Sequence, residues 1–134
     1  MILRILNFKL SIFIEIISEN KLIMGKLTWE DFEKVEMRVG TIIDVESFPK
    51  AWKQSYKLKI DFGEAIGIKW SSAQVTTIYS LEELKGKQII AVINFPKKQI
   101  ANFMSECLVL GAVNDEDVTL MQPERMVQNG LRIL

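Results

Sequence analysis

The side chains best suited to chemistry stand in one stretch, residues 87–112, where two apolar runs flank a polar connector. Asn94, Lys97 and Lys98 follow the first run, and Ser105 precedes the second. Amide, ammonium and hydroxyl groups bind phosphates and the hydrogen-bonding edges of bases and riboses. A loop that carries such groups between rigid strands is the usual format of a binding surface. We therefore expect the connector to bind a ligand rather than only to join two strands.

The residue inventory argues against catalysis. The chain has no histidine, and its only cysteine is Cys107. These facts exclude histidine-based triads, an intramolecular disulfide and most metal sites, and we find no nucleophile–base pair and no phosphate loop. Cys107 lies in an apolar run, so we expect it to pack in the core, and a lone reduced thiol fits a cytoplasmic location. The sequence predicts a binding protein that is not an enzyme and needs neither metal nor cofactor.

The charge distribution favours an anionic partner, although the net charge of the chain is zero. Residues 47–105 contain nine lysines and four acids, whereas residues 24–46 and 106–134 each carry three more acids than bases. A basic middle segment is typical of a surface that binds nucleic acid. The alternative is an ordinary solvated surface, because charges close in sequence need not be close in space.

Alternation of apolar and polar residues predicts the strands that hold the connector. Residues 56–62 alternate most cleanly, with lysines on the outer face. Along residues 38–45 the pattern places Val45 inside and Ile42 outside, and Gly40 suggests a bulge or bend. A capping box at residues 80–83 predicts a short helix. Short strands with one capped helix between them predict an all-β protein, a five-stranded Greek-key barrel with short closing strands near the C-terminus.

Residues 1–23 differ from the rest of the chain. They are apolar, but Lys9 and Glu15 interrupt them, so they make a poor signal peptide and a poor membrane span. Helical and strand periodicities fit almost equally, with a slight preference for helix. Because Met24 and the residues after it resemble a start, we expect residues 1–23 to be an N-terminal extension and residues 24–134 to be the functional domain.

Five sequence blocks resemble the tRNA-binding domain family, an OB-fold module that stands alone or is attached to methionyl- and phenylalanyl-tRNA synthetases. In family order they are MRVGTI at 37–42, YKLKIDFG at 56–63, SAQV at 72–75, EELKGK at 82–87 and the connector at 94–106. The resemblance covers roughly residue 26 to the C-terminus and is strongest to the CsaA branch, described as export-related chaperones. It implies a homodimer that binds tRNA and unfolded or exported polypeptides. A general chaperone for hydrophobic peptides, with only residual tRNA binding, is the alternative.

The resemblance also implies roles for individual residues. Candidate phosphate contacts are Lys53, Lys97 and Lys98, and candidate contacts to base edges or ribose hydroxyls are Gln74, Asn94 and Ser105. For Asn94 and Ser105, capping of nearby backbone is an equally good interpretation. Candidates for a peptide-binding or dimer surface are Trp52, Trp70, Phe95, Ile100, Phe103 and Met104. Trp52 and Trp70 stand where the family has basic residues. Three roles are open for them: stacking on bases, binding apolar peptide, or packing on the loop surface.

Overall fold

The computed structural model describes residues 10–12, 14 and 25–134 and divides the chain into two units, residues 1–34 and 35–134. In the first unit, residues 10–12 and 14 are helical, and helix α1 spans Trp29–Glu33. Thr28 caps α1, because its Oγ1 accepts a hydrogen bond from the Asp31 amide at 3.1 Å. The remainder of the predicted N-terminal extension lies outside the described residues.

The second unit consists of short antiparallel strands and one short helix. The strands are β1 Met37–Ser47, β2 Tyr56–Asp61, β3 Ile68–Ala73, β4 Gln88–Val92, β5 Lys98–Ile100, β6 Phe103–Ser105, β7 Leu108–Val109, β8 Gly111–Asn114 and β9 Asp117–Leu120; helix α2 is Leu81–Leu84. Five strands form a sheet in the order β3-β2-β1-β4-β7, and β5–β6 and β8–β9 are separate hairpins. This arrangement confirms the predicted all-β barrel.

The two ends of the sheet meet along a seam between β3 and residues 105–106. The Glu106 amide donates to the Trp70 carbonyl at 2.8 Å, and the Trp70 amide donates to Glu106 Oε2 at 2.8 Å. The Ser72 amide donates to Ser105 Oγ at 3.1 Å. A seam made of one backbone bond and two side-chain bonds nearly closes the barrel, so its geometry depends on the identity of Ser105 and Glu106.

Strand β1 shows why Ile42 was placed wrongly from the sequence. Its first half pairs with β4 and its second half with β2, and the register shifts between Ile42 and Asp44, which leaves Ile43 as an extra residue. Ile42 is 0% exposed and belongs to the core, and Val45 packs against the core three residues later. The bulge thus lies at Ile43, not at Gly40, whose lack of a side chain leaves room for Ile60: a Cβ there would lie 2.6 Å from Ile60 Cγ2.

The core around β2 and the capped helix follow the predicted pattern, whereas the predicted closing strand at residues 130–133 does not form. Leu58, Ile60 and Phe62 of the β2 region are buried, and the predicted capping box forms, with the Glu83 amide donating to Ser80 Oγ at 3.2 Å. The C-terminal residues 130–133 run along the first half of β1 through backbone hydrogen bonds but form only an isolated bridge, not a strand. Among the described residues, no helix is long and apolar enough to cross a membrane.

Candidate nucleic-acid interface

The outer face of β2 and β3 carries cationic and planar side chains side by side. Because Leu58 points into the core, its neighbours Lys57 and Lys59 point outward. Strand pairing sets Lys57 opposite Ser72 and Lys59 opposite Trp70 on β3. We call these four residues, Lys57, Lys59, Ser72 and Trp70, the strand face.

Aromatic rings hold the lysines of the strand face in place. The Phe103 ring lies edge-on to Phe48 and Trp70, with centroid distances of 5.4 and 6.0 Å. Lys57 Nζ lies 4.7 Å from the Phe48 centroid and 5.2 Å from that of Phe103. Lys59 Nζ lies 5.8 Å from the Trp70 centroid. Each contact of this kind contributes about 0.5–1 kcal/mol at an exposed site, so the cations and rings form a pre-organised surface.

Acidic residues border the strand face on one side. Strand β1 places Glu46 beside Lys57 and Asp44 beside Lys59 in the register. The positive potential of the two lysines is therefore weakened towards β1 and is stronger towards β3 and the connector. A ligand that carries negative charge is expected to approach from the β3 side.

A small cavity opens beside the strand face. It has a volume of about 390 Å³ and is lined by Glu46, Lys57, Trp70, Asn102, Phe103, Met104 and Glu106. Lys97 stands next to its wall, because Lys97 Nζ lies 3.4 Å from Glu106 Oε1. The structure thus groups Trp70, Phe103, Met104 and Lys97, four of the sequence candidates, around one opening.

Two other candidates belong to a separate, larger cleft of about 730 Å³. Lys53 and Gln74 line it together with apolar residues such as Leu108 and Val113 and with Glu116. Ser72 also lines this cleft, so the outer face of β3 extends from the small cavity to the larger cleft. The predicted contact residues therefore lie in two depressions that share one strand.

Several connector residues make structural bonds or stand in the open. Asn94 Oδ1 accepts from the Glu36 amide at 3.0 Å, and the buried Ser105 holds the seam. Lys98 is exposed on β5 and pairs with Ser105 in the register, while Ile100 is half-buried. Phe95 is 55% exposed. Trp52, a candidate outside the connector, is 97% exposed in the loop between β1 and β2. The candidates of the connector thus occupy different environments and do not form one cluster.

Seven residues of the strand face, its ring contacts and the small cavity were absent from the sequence-based candidates: Glu46, Phe48, Lys57, Lys59, Ser72, Asn102 and Glu106. The signal for the two lysines was present, since the period-two pattern of residues 56–62 already placed them on the outer face of a strand. In an OB-fold the outer face of the second and third strands, with the loops beside it, binds oligonucleotides. Nothing local in the sequence indicated that Phe48 and Glu106 would meet β2 and β3.

Other reactive groups of the described residues serve the fold. Burial raises the pKa of the Cys107 thiol to about 12, so the thiol stays protonated. The backbone carbonyl of Cys107 accepts a hydrogen bond from Ser71 Oγ at 2.8 Å. Arg38 pairs with Glu36 at 2.7 Å. In residues 10–12, 14 and 25–134, no group of three or more His, Cys, Asp or Glu residues could hold a metal ion.

Comparison with known proteins agrees with this geometry. The family model described as "Putative tRNA binding domain" matches residues 37–132. The chaperone CsaA of Bacillus anthracis is 45% identical and has a TM-score of 0.77, with 81% of this chain and 99% of that chain covered. The CsaA chaperone protein of Picrophilus torridus is 51% identical and has a TM-score of 0.76, with 81% and 100% covered.

A curated relative, the methionine–tRNA ligase of Pyrococcus horikoshii, is 34% identical over 110 residues. The match covers 82% of this chain but only 15% of the ligase, so the similarity concerns a small part of that enzyme. The family model, by contrast, spans most of the barrel, from the start of β1 to the C-terminal segment. Because the family model matches most of its length, the chain belongs to the tRNA-binding domain family, and it is similar to the two CsaA chaperones.

Proposed function

We propose that this chain binds tRNA through the strand face and the connector beside it. The observation that carries the proposal is the set of lysines held over aromatic rings, Lys57 over Phe48 and Phe103 and Lys59 over Trp70, on a barrel of the tRNA-binding domain family. Cations that follow a backbone and rings on which bases stack are the two parts of a surface for single-stranded nucleic acid. An unpaired segment of tRNA fits this surface.

The proposal gives the residues around the strand face distinct roles. The exposed Lys53, Lys97 and Lys98 extend the cationic surface and contact phosphates on either side of the rings. Gln74, Asn94 and Ser105 offer hydrogen bonds to bases or ribose hydroxyls, and for Asn94 and Ser105 this role is additional to the backbone amides they already bind. Catalysis has no part in this function, and we place the protein in the cytoplasm, where tRNA is used.

Salt dependence of tRNA binding tests the proposal. Replacing Lys97 and Lys98 by Gln should weaken binding and lower the slope of log affinity against log salt by about 0.7 per lost single-strand contact, or about 0.9 per duplex contact. The matched control replaces the exposed Lys85 and Arg125 by Gln, which changes the net charge equally at residues outside the strand face and the connector. Binding to tRNA with no salt slope in the unaltered protein would refute the proposal.

We also propose that the protein acts as a chaperone for exported or unfolded polypeptides. The support is its similarity to two proteins described as CsaA chaperones and the exposed apolar side chains of Trp52, Phe95 and Met104. With Trp70, Ile100 and Phe103, these residues offer apolar area to a peptide.

Replacing Phe103 and Met104 by Ser should lower capture of an unfolded apolar peptide and leave the salt slope of tRNA binding unchanged. A general peptide chaperone with residual tRNA binding remains the second candidate, and unchanged peptide capture would remove both chaperone proposals.

We further propose that the protein is a homodimer and that residues 1–23 add nothing to the functional domain, residues 24–134. Exposed apolar residues near the C-terminus, Met121, Met126 and Leu131, offer area for a second copy. Sedimentation at micromolar concentration should give twice the mass of the 15.4 kDa chain, and a monomer would contradict the dimer.

Deletion of residues 1–23 should leave both the mass and the melting temperature unchanged, and a large loss of stability would contradict the proposed boundary.

A further inference from the structure

We propose that the small cavity beside the strand face is a pocket for one unpaired guanine, which the Glu106 carboxylate recognises. The proposal rests on the proposed tRNA binding and adds to it a base-specific site. The cavity, of about 390 Å³, is bounded by rings of Trp70 and Phe103 and by polar groups of Lys57, Asn102 and Glu106. Stacking of a base on one of the two rings, with hydrogen-bonding groups at the edge of the base, is how proteins hold an unstacked base.

The Trp70 and Phe103 rings are held in place before any ligand binds. The Trp70 and Phe103 rings lie at 85° to each other with their centroids 6.0 Å apart. Phe48 in turn contacts Phe103, with a centroid distance of 5.4 Å. Trp70 lies on β3, which pairs with β2, and Phe103 lies on β6, which pairs with β5. The two rings also contact each other, so they lose little freedom when a base stacks on either one. Stacking provides affinity for any base, and selection among bases must come from the polar edge of the cavity.

Glu106 is the best-positioned polar group of that edge. Its Oε2 accepts from the Trp70 amide at 2.8 Å, its Oε1 lies 3.4 Å from Lys97 Nζ, and its side chain is only 22% exposed. These two contacts orient the carboxylate at the barrel seam. A carboxylate can accept about four hydrogen bonds, so each oxygen keeps acceptor capacity for a ligand.

The chemistry of this edge favours guanine. An ionised carboxylate only accepts hydrogen bonds, and guanine is the base whose Watson–Crick edge carries two adjacent donors, N1–H and the N2 amino group. The remaining group of that edge, O6, is an acceptor, and Lys57 and Asn102 supply donors to the same cavity. Adenine and cytosine offer one amino group each. Uracil presents two carbonyl oxygens around its single N–H, so the carboxylate disfavours it.

The acids of the cavity also argue against a phosphate as its occupant. Glu46 and Glu106 both line it together with Lys57, and Lys97 beside the wall is already paired with Glu106, so the cavity offers an anion little net attraction. Phosphates are therefore expected outside the cavity, near the exposed Lys98 and near Lys59, whose Nζ lies over the Trp70 ring of β3. A base in the cavity with its phosphates outside satisfies both sets of charges.

Binding of short RNAs to the full chain tests the pocket. The probes are fluorescein-labelled hexanucleotides of uridine in which one central residue is uridine, cytidine, adenosine, guanosine or inosine. The guanosine probe should bind about tenfold more tightly than the all-uridine probe, the size of one good carboxylate–base recognition. Inosine, which lacks the N2 amino group, should lose part of this preference. Because inosine changes only the ligand, this comparison does not depend on whether a variant folds.

A single substitution then assigns the preference to Glu106. Glu106→Gln keeps an oxygen for the Trp70 amide but replaces one acceptor by a donor. The guanosine-to-uridine affinity ratio should therefore fall to about one. The affinity for the all-uridine probe should rise, because a negative charge is lost. Glu64→Gln removes the same charge at an exposed residue that does not line the cavity and should leave the ratio unchanged. The ratio, not the affinity, is the readout.

The outcomes separate the pocket from the proposed function. Equal binding of all five probes, with salt-dependent tRNA binding intact, would overturn the guanine pocket and leave the proposed function standing. An unfolded apolar peptide that displaces every probe equally, with no base preference, would likewise overturn it and assign the cavity to a peptide side chain. Absence of salt-dependent tRNA binding would overturn the proposed function itself.

Discussion

The strand face and the connector, residues 94–106, carry the same kinds of side chain but hold them differently. On the strand face, Lys57 and Lys59 lie over rings and Trp70 is half-buried at the seam. In the connector, Phe95 and Lys98 are exposed. The strand face is fixed by the pairing of β2 with β1 and β3. The connector has its own three-residue hairpin strands, and it is bonded to β3 at its end, through Ser105 and Glu106.

The difference matters because a fixed surface loses less entropy when it binds. Side chains that must be ordered on binding reduce the net affinity by roughly 0.5–1.5 kcal/mol each. The strand face has already lost that freedom in the folded protein, so its cations and rings are better suited to a specific base contact. The connector is better suited to adaptable contacts with phosphates or with polypeptide. The predictions below compare the two regions with matched substitutions.

The largest contrast concerns stability. Ile60 on β2 is fully buried under the strand face, whereas Ile100 in the connector is half-buried. Ile60→Ala should lower the free energy of unfolding by about 2–5 kcal/mol, because it leaves a cavity in the core. Ile100→Ala should cost about 1 kcal/mol or less. Urea unfolding of both variants checks the contrast, and equal losses would mean that the connector is as well packed as the strands.

A smaller effect is expected where the two regions join. Ser105 Oγ accepts the Ser72 amide, so Ser105→Ala leaves that donor without its partner and should lower the free energy of unfolding by about 1–3 kcal/mol. The tRNA affinity of the folded protein should fall as well, because Ser105 is also proposed to hydrogen-bond RNA, and unchanged affinity would limit Ser105 to closing the seam. Urea unfolding and tRNA titration of the same sample measure both quantities. Lost affinity at unchanged stability would instead favour a direct RNA contact by Ser105.

The sequence predicted the barrel because its strongest patterns are local. Leu58, Ile60 and Phe62 recur with period two, and the strand they predict is buried on that side. The capping box at Ser80 likewise needs only residues three positions apart. Ile42 was predicted wrongly because one extra residue, Ile43, reverses the alternation, and a bulge leaves no clear mark in a strand of β-branched residues.

The site was harder to predict, because its parts meet only in the folded barrel. Trp70, Phe103 and Met104 were among the sequence candidates, and they line one cavity. Glu106 was overlooked, because its contacts with the Trp70 amide bridge 36 residues of sequence. Lys57 and Lys59 were placed on the outer face of a strand but not among the candidates, since the rings beneath Lys57 come from two other segments of the chain.

The central claim, that the strand face and not the exposed loops is the principal RNA surface, is tested most directly by two tryptophans. Trp70→Ala removes a ring of the strand face, and Trp52→Ala removes one that is 97% exposed in the loop between β1 and β2. Both variants should still unfold cooperatively in urea, which serves as the control for the measurement of tRNA affinity at fixed salt.

Trp70→Ala should weaken tRNA binding about tenfold, the loss of one base stack, without a change in salt slope because no charge is removed. Trp52→Ala should change the affinity by less than about twofold, as expected for a side chain outside the main contact. A greater loss of affinity for Trp52→Ala than for Trp70→Ala would contradict the claim and move the RNA surface to the loop.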